Sequence, residues 1–170
     1  MRKQTKKLTR YGLLVALALI LSYLEAQLPA FYAVPGMKLG LTNLVVVVAL
    51  YGMGSRSAMI INLVRILLVA LLFGNAMSLA YSLAGGMLSC LVMIMLKRCG
   101  RFSTIAVSAV GGICHNVGQI LVAMLLLQTT GLGWYLLILW FTGLAAGIVI
   151  GLIGGEVTRL LQKHKWGENT

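Results

Sequence analysis

His115, Asn116 and Gln119 lie within five residues of one another in the segment GGICHNVGQ, residues 111–119. Imidazole and carboxamide groups donate and accept hydrogen bonds, yet the surrounding run is apolar. Spacings of three and four residues bring these side chains, together with Gly112, to one side of a helix. Exposing such groups to lipid would be costly. The pattern therefore predicts a polar patch that faces the interior of a helical bundle.

Polar side chains also interrupt other apolar segments of the chain. Asn62 and Arg65 are three residues apart and share a helix face, and Glu25 lies near the end of the first apolar run. An ionisable group inside a bilayer is expensive unless it is paired or faces a cavity, so each is a candidate site residue. The predicted substrate-binding residues are Glu25, Lys38, Asn43, Asn62, Arg65, Asn75, Tyr81, His115, Asn116 and Gln119.

Two interpretations of these polar residues remain open. In the first, they line a pocket that opens outward beneath the loop PAFYAVPGMK, residues 29–38, and holds a small ligand. Positive charge from Arg65, Lys38 and His115 then outweighs the single carboxylate, which favours an anionic or strongly hydrogen-bonding ligand. In the second, the residues form interhelical hydrogen bonds and a buried Glu25–Arg65 pair without any ligand.

The composition assigns the chain to the integral membrane proteins. Of its 170 residues, 60% are hydrophobic and only 10% are charged, and the mean hydropathy is +0.97. We expect an all-α bundle of six transmembrane helices in one integral membrane domain, residues 1–170, with tails at 1–10 and 162–170. Helix 2 is short for a full crossing, so a re-entrant segment is the alternative there. The predicted helices are approximately Tyr11–Leu28, Leu39–Met53, Ser57–Phe73, Ser78–Leu96, Ser103–Leu127 and Trp134–Leu161.

The positions of the basic residues predict the orientation of the bundle. With both termini placed in the cytoplasm, all fourteen lysine and arginine residues except Lys38 and Arg65 fall in cytoplasmic segments. We therefore expect a multi-pass protein of the cell membrane with cytoplasmic termini. The net charge of +11 indicates anionic lipid as a partner rather than nucleic acid, because no folded soluble part is expected to carry a basic face.

Several chemistries have no matching residues in the sequence. The three cysteines are odd in number and include no Cys-x-x-Cys pair, so no disulfide framework is predicted. The chain has no aspartate, and Glu25, Glu156 and Glu168 are far apart, so it cannot by itself build the magnesium–diphosphate site of a prenyl diphosphate synthase. It also has no ATP-binding P-loop motif. We expect a protein that is not an enzyme and carries no cofactor and no metal.

Small residues recur every four residues along three of the predicted helices. This spacing lets two helix backbones approach closely, either inside the bundle or against a separate membrane subunit, and both interpretations remain open. The stripes are Ala18, Ser22 and Ala26 in helix 1, Ser82, Gly86 and Cys90 in helix 4, and Gly143, Gly147, Gly151 and Gly155 in helix 6.

Three segments resemble a known family: PGMKLGLTNLVVVVALY at 35–51, LVRILLVALLFGNAMSLAYSLAGGMLS at 63–89 and GGICHNVGQILVA at 111–123. They are similar to the Gx transporter family, also catalogued as heptaprenyl diphosphate synthase component I. The resemblance implies a fold like the S components of energy-coupling factor transporters, six-helix bundles that bind a small molecule from outside. Such components associate with an energising transmembrane subunit and ATPases. The resemblance further implies that the helix 1 stripe docks that subunit through Ala18, Ser22 and Ala26.

These observations lead to a first functional hypothesis and two alternatives. The first is a substrate-binding membrane subunit that captures a small, anionic or polar metabolite from outside for uptake with an energising partner. The second is a non-catalytic membrane subunit tied to isoprenoid, quinone or heptaprenyl diphosphate metabolism, or to extracytoplasmic flavin and electron transfer. The third is a purely structural membrane subunit.

Overall fold

The protein is described by a computed structural model that covers residues 2–27 and 40–164. Every regular element in these two ranges is helical, so the predicted all-α class is confirmed for the described part of the chain. A single 3₁₀ turn, Gly131–Trp134, precedes the last helix. The α-helices are α1 (Arg2–Gln27), α2 (Asn43–Gly52), α3 (Ser55–Leu72), α4 (Ala76–Cys99), α5 (Thr104–Leu126) and α6 (Tyr135–Lys163).

Five of these helices are long and apolar enough to cross a membrane: α1, α3, α4, α5 and α6. This is the architecture of a multi-pass membrane helical bundle. The remaining helix, α2, has 10 residues, and at 1.5 Å per residue it is about 15 Å long, roughly half the thickness of the hydrocarbon core. The predicted sixth crossing therefore stays a prediction, because α2 alone does not span.

Two predicted boundaries differ from the structure by at least four residues, and the other described boundaries differ by less. Helix α1 begins at Arg2 rather than Tyr11, so the basic segment predicted as a tail continues the helix. Helix α2 begins at Asn43 rather than Leu39, because Gly40 has a positive φ of 85° and residues 41 and 42 form a turn. A run of good helix formers carries the helix through the first segment, whereas a left-handed glycine stops it in the second.

Helix α2 is the centre of the bundle. Its segment Val45–Leu50 is buried at every position, and α2 contacts all five other helices. The sequence VVVVAL is apolar on all sides, which is the pattern of a helix surrounded by protein. The other helices therefore pack around a short central rod.

The two ends of α2 lie at different depths. At its carboxyl end, Lys97 Nζ donates to the Leu50 carbonyl at 2.5 Å, so α2 and α4 end at the same side of the bundle. At its amino end, Arg65 donates to the Thr42 hydroxyl, and Arg65 lies ten residues, or about 15 Å, along α3. Helix α2 therefore runs from one end of the bundle only to its middle.

Most of the described basic residues lie at the end of the bundle where the carboxyl terminus of α2 lies. Gln162 near the end of α6 donates to the Tyr51 carbonyl at 3.5 Å, which places the end of α6 there too. Tyr11 of α1 donates to Ser57 near the start of α3 at 2.8 Å. We call this the basic end; its lysine and arginine residues include Arg56, Lys97, Arg98, Arg101, Arg159 and Lys163.

The glycine stripe of α6 packs inside the bundle against α5. A Cβ atom added to Gly147 would lie 2.6 Å from the Ser108 carbonyl oxygen, and one added to Gly151 would lie 2.7 Å from the Ile105 Cα. These are contacts with backbone, which cannot rotate away. Of the two interpretations of this stripe, internal packing is the correct one.

The helix 1 stripe faces inward at two of its three residues, and the prediction that it docks a partner stays a prediction. Ala18 and Ser22 are fully buried at 0% exposure, and only Ala26 is exposed. Ala18 belongs to the main apolar cluster of the bundle. Two of the three predicted docking residues are therefore already used for packing within this chain, and the exposed face of α1 consists of bulky residues such as Leu13 and Ile20.

A matched pair of substitutions tests the α5–α6 packing. We expect Gly147→Ala to lower the free energy of unfolding by about 1 to 3 kcal/mol, because the new methyl group overlaps the α5 backbone. Gly12→Ala is the control, since nothing lies within 4 Å of a Cβ at that position. Thermal or denaturant unfolding of the purified variants measures both effects. Equal stability of the two variants would contradict the close packing of these helices.

Candidate polar binding site

The turn before α2 is held by Glu25 of α1. The Glu25 carboxylate accepts hydrogen bonds from the backbone N–H groups of Gly40 at 2.5 Å and Leu41 at 3.3 Å. The next backbone donors bond within the turn, from Asn43 to the Gly40 carbonyl at 2.8 Å and from Leu44 to the Leu41 carbonyl at 3.1 Å. Glu25 therefore satisfies the turn that precedes α2, and the carbonyl groups of that turn satisfy the first N–H groups of the helix. A carboxylate near the amino end of a helix is also favoured by the helix dipole.

Glycine is required at position 40 for two reasons. Its φ of 85° is in the left-handed region, which is strained for other residues. A Cβ there would also lie 3.1 Å from both Asn43 Nδ2 and His115 Cδ2. The turn therefore brings its backbone directly against polar side chains of α2 and α5.

Arg65 joins α3 to the start of α2. Its Nε and Nη2 atoms donate to Asn62 Oδ1 at 3.1 and 2.9 Å, and Nη1 donates to Thr42. Asn62 in turn donates to the Gly86 carbonyl of α4 at 2.9 Å. Arg65 and Glu25 make hydrogen bonds to different partners, and they also attract each other electrostatically. The predicted Glu25–Arg65 pair is therefore present as an electrostatic interaction between two parts of the same polar network.

Two adjacent glycines of α4 separate the polar groups of α3 and α5. A Cβ on Gly86 would lie 3.3 Å from Arg65 Nη2, and a Cβ on Gly85 would lie 2.6 Å from the His115 carbonyl oxygen and 2.8 Å from Gln119 Cγ. Gly86 thus allows α3 to approach α4 closely, and Gly85 allows α5 to do so. Larger residues at these positions would push the polar groups of α3 and α5 away from α4.

The polar residues of GGICHNVGQ are buried, as predicted, but they face two directions. His115, Asn116 and Gln119 are each no more than 2% exposed. Gln119 Nε2 lies 2.7 Å from His115 Nε2, and the carboxamide nitrogen donates because it cannot accept. Asn116 Nδ2 instead donates to the Leu139 carbonyl of α6 at 2.7 Å. His115 and Gln119 thus face α4 and the Gly40 turn, whereas Asn116 links α5 to α6.

Three other predicted site residues do not join this group in the structure. Asn75 is exposed and caps α4, where its side chain accepts a hydrogen bond from the Ser78 N–H at 2.8 Å. Tyr81 is buried in an apolar cluster that also contains Ile120 and Leu139. Lys38 lies outside the described residues.

The structure therefore brings together six of the predicted residues with four that the sequence reasoning did not assign to the site. The unpredicted ones are two turn residues and two glycines of α4. The signal in the sequence that could have identified Gly85 and Gly86 is the presence of two adjacent glycines in an apolar helix, since neighbouring positions of a helix face different helices. The resulting group, which we call the polar site, consists of Glu25, Gly40, Thr42, Asn43, Asn62, Arg65, Gly85, Gly86, His115 and Gln119.

Asn43 is the exceptional member of the polar site. Its side chain is 3% exposed, yet neither Oδ1 nor Nδ2 has a hydrogen-bond partner among the described residues. A buried carboxamide without partners costs about 1 to 3 kcal/mol. The site thus presents one free donor and one free acceptor beside the Arg65 network. Within residues 2–27 and 40–164, no three histidine, cysteine or acidic side chains come together as metal ligands.

The fold and the polar site define a multi-pass helical membrane protein with a short central helix and a buried polar centre. The family model for heptaprenyl diphosphate synthase component I matches residues 14–157. The chain belongs to this family, which confirms the resemblance seen in its sequence segments. Neither the curated proteins nor the solved structures contain a match to the chain. The similarity to energy-coupling factor S components stays a prediction.

A pair of substitutions compares the side-chain amide of Asn116, which is hydrogen-bonded to α6, with that of Asn43, which has no partner among the described residues. We expect Asn116→Leu to lower the free energy of unfolding by about 1 kcal/mol, because it removes the hydrogen bond to α6. Asn43→Leu should leave the stability of the unliganded protein unchanged or raise it, because no hydrogen bond is lost and a buried polar group is removed. Denaturant unfolding in detergent compares the two. A larger loss for Asn43→Leu than for Asn116→Leu would refute this assignment.

Proposed function

We propose that the protein is a substrate-binding membrane subunit that captures a small polar metabolite at the polar site and passes it on with an energising partner. The observation that carries this proposal is the buried side chain of Asn43, whose donor and acceptor have no partner among the described residues. A group that costs stability and bonds to nothing in the protein is expected where a ligand completes it.

The depth of α2 supports the same function. A helix that ends in the middle of a bundle, beside buried charged and polar side chains, is how many membrane transporters build substrate sites near the bilayer centre. Here the amino end of α2 lies against Arg65 and Glu25, about half-way along α3. We place the route of the ligand at the end opposite the basic end, the side on which α1 ends at Gln27.

The free groups limit the chemistry of the ligand. Arg65 uses three of its five N–H donors in the hydrogen bonds above, which leaves two for a ligand acceptor. Asn43 adds one donor group and one acceptor. Because Glu25 and Arg65 offset each other's charge, an anionic preference would depend on a further cation, for which the sequence offers Lys38.

The orientation and location belong to the same proposal. Basic residues beside the ends of transmembrane helices favour the cytoplasmic face, and the basic end contains the amino end of α1 and the carboxyl end of α6. We place both termini in the cytoplasm of a cell-membrane protein, with the polar site reached from outside.

The family name supports a second candidate, a membrane component that works with a separate prenyl diphosphate synthase subunit. Such synthases use clustered aspartates to hold magnesium and diphosphate, and this chain contains no aspartate. In this candidate the chain is non-catalytic and its partner performs the reaction. The two candidates are separable because only the first requires a ligand at Asn43.

Thermal unfolding with a panel of metabolites tests the first candidate. We expect a polar metabolite to raise the unfolding temperature of the wild-type protein and of Asn116→Leu, but not of Asn43→Leu, because Asn43 presents a free donor and a free acceptor at the polar site, whereas Asn116 lies outside that site. Asn116→Leu is the matched control because it also replaces a buried amide. The proposal fails if Asn43→Leu retains the full shift, or if no compound in the panel stabilises the wild type.

The charge preference is tested by comparing carboxylate and phosphate compounds with neutral analogues. We expect Lys38→Gln to weaken binding of the anionic compounds by about tenfold, while the neutral analogues are affected little. Isothermal titration of the purified protein in detergent gives both affinities. An equal loss for charged and neutral ligands would show that Lys38 does not select charge.

The second candidate predicts that synthase activity copurifies with the protein. Affinity-tagged protein is isolated from its native membranes, and chain elongation from farnesyl and isopentenyl diphosphate is measured in the eluate. Activity well above that of an unrelated tagged membrane protein is the expected result. Background activity alone would reject this candidate without affecting the first.

A further inference from the structure

Helix α2 lies between two glycines in the left-handed region of backbone conformation. Gly40, before the helix, has a φ of 85°, and Gly54, after it, has a φ of 98°. Nothing lies within 4 Å of a Cβ added at Gly54, so the chain is also uncrowded there. Glycine changes its backbone angles at low cost, and such positions absorb the movement of a rigid element. The ten residues of α2 thus form a rod between two positions where the backbone is free to turn.

The sides of this rod carry no polar side chains from Val45 to Leu50. All six residues are aliphatic and buried, so their side chains contact the surrounding helices through van der Waals packing. On α6, Gly154 faces the rod, since a Cβ added there would lie 2.9 Å from Val47 Cγ1. Small sliding movements between packed helices are a common form of conformational change. A small movement of α2 along its axis would therefore break no side-chain hydrogen bond on these sides.

Polar contacts hold the rod at its two ends instead. At the amino end, Glu25 and Arg65 bond to the turn that precedes α2. At the carboxyl end, Lys97 Nζ donates to the Leu50 carbonyl at 2.5 Å, and the same ammonium group lies 4.9 Å from the centre of the Tyr51 ring. A cation is favoured at the carboxyl end of a helix and over an aromatic face. The two sets of contacts are separated by the length of the rod, about 15 Å.

We propose that α2 moves as one element and couples the polar site to the Lys97 contact at the basic end, so that Lys97 is a positioning residue for Asn43. Asn43 is the first residue of α2, and an axial shift of the rod moves its free amide relative to Arg65 of α3 and His115 of α5. Occupation of the polar site therefore favours one axial position of α2, and the bond from Lys97 to α2 responds to that position. This inference rests on the proposed function, because it takes the polar site to be the site of a ligand.

Lys97 connects this coupling to the surface of the protein. Its side chain is partly exposed, whereas Glu25, Asn43 and Arg65 are at most 6% exposed. Coupling between two sites is reciprocal, so a contact that displaces Lys97 from the Leu50 carbonyl also changes the affinity of the polar site for its ligand. The buried polar site is thus regulated from the basic end, without any contact between a regulator and the ligand.

Hydrogen exchange of the unliganded protein in nanodiscs, followed by mass spectrometry, tests the coupling. We expect Lys97→Met to speed exchange of the amides at residues 45–47 by at least about tenfold, because the released rod moves as a whole. Lys97→Arg keeps a donor for the Leu50 carbonyl and should hold exchange within about twofold of the wild type. Arg98→Met is the matched control, because Arg98 is the next residue of α4 and lies at the outer surface beside α3.

Three results would overturn the coupling. Faster exchange confined to residues 49–52 in Lys97→Met would mean that α2 frays from its carboxyl end. An equal increase throughout α5 and α6 would mean that Lys97 only stabilises the whole bundle. An equal effect of Arg98→Met would mean that exchange responds to the total charge of the basic end.

A second variant tests the coupling from the other end of the rod, and it also serves if Lys97→Met does not fold. Thr42→Val removes an acceptor of Arg65 and should speed exchange at residues 48–50, beside Lys97, by at least about tenfold. Unchanged exchange there would contradict the inference.

The outcome is separable from that of the proposed function. Exchange is measured without ligand, so failure of every metabolite to stabilise the protein would reject uptake and leave the movement of α2 as measured. A stabilising metabolite together with unchanged exchange in Lys97→Met and Thr42→Val would keep uptake and reject the coupling.

Discussion

When a helix begins in the middle of a membrane protein, its first backbone N–H groups must find hydrogen-bond partners within the protein. The arrangement of this bundle follows from that constraint. Helix α2 begins in this position, and the Glu25 carboxylate accepts hydrogen bonds from the turn that precedes the helix. A buried carboxylate needs a compensating charge, which Arg65 provides. Arg65 in turn needs acceptors, and Thr42 and Asn62 supply them. One short helix thus accounts for polar residues on two other helices, α1 and α3, and for Thr42 in its own preceding turn.

Close helix packing is the second requirement, because these short side chains reach one another only when the backbones approach. Gly85 and Gly86 let α4 come between the polar groups of α3 and α5, and the Gly112–Gly143 contact joins α5 to α6. In a membrane, lipid does not drive helices together, so small residues and interhelical hydrogen bonds must. The glycines therefore act on the polar site indirectly, by setting the distance between helices.

The sequence predicts much of this structure. It does not predict which neighbouring helix each side chain faces, because that depends on the rotation of every helix about its axis. Glu25, Asn62, Arg65 and His115 stand out because polar groups in apolar segments are rare and costly. The direction in which Asn116 points could not be read, since adjacent positions face different helices and the neighbours were unknown. The inward direction of Ala18 and Ser22 in helix 1 could not be read for the same reason. Asn75 was readable as a helix cap, because asparagine is preferred immediately before a helix, where its side chain accepts a hydrogen bond from a backbone N–H group of the first turn.

The distribution of charge separates the polar site from the basic end. At the polar site, Glu25 and Arg65 compensate each other in a buried setting, so the free groups of Asn43 would discriminate by hydrogen-bond geometry. At the basic end, Arg56 and Arg98 are exposed and have no acidic partner within the described residues, so they attract anions through charge, which salt screens. Binding at the polar site should therefore change little with ionic strength, whereas the attraction of anions to the basic end should weaken. The depth of these groups in the bundle, rather than the identity of the arginines, accounts for this difference.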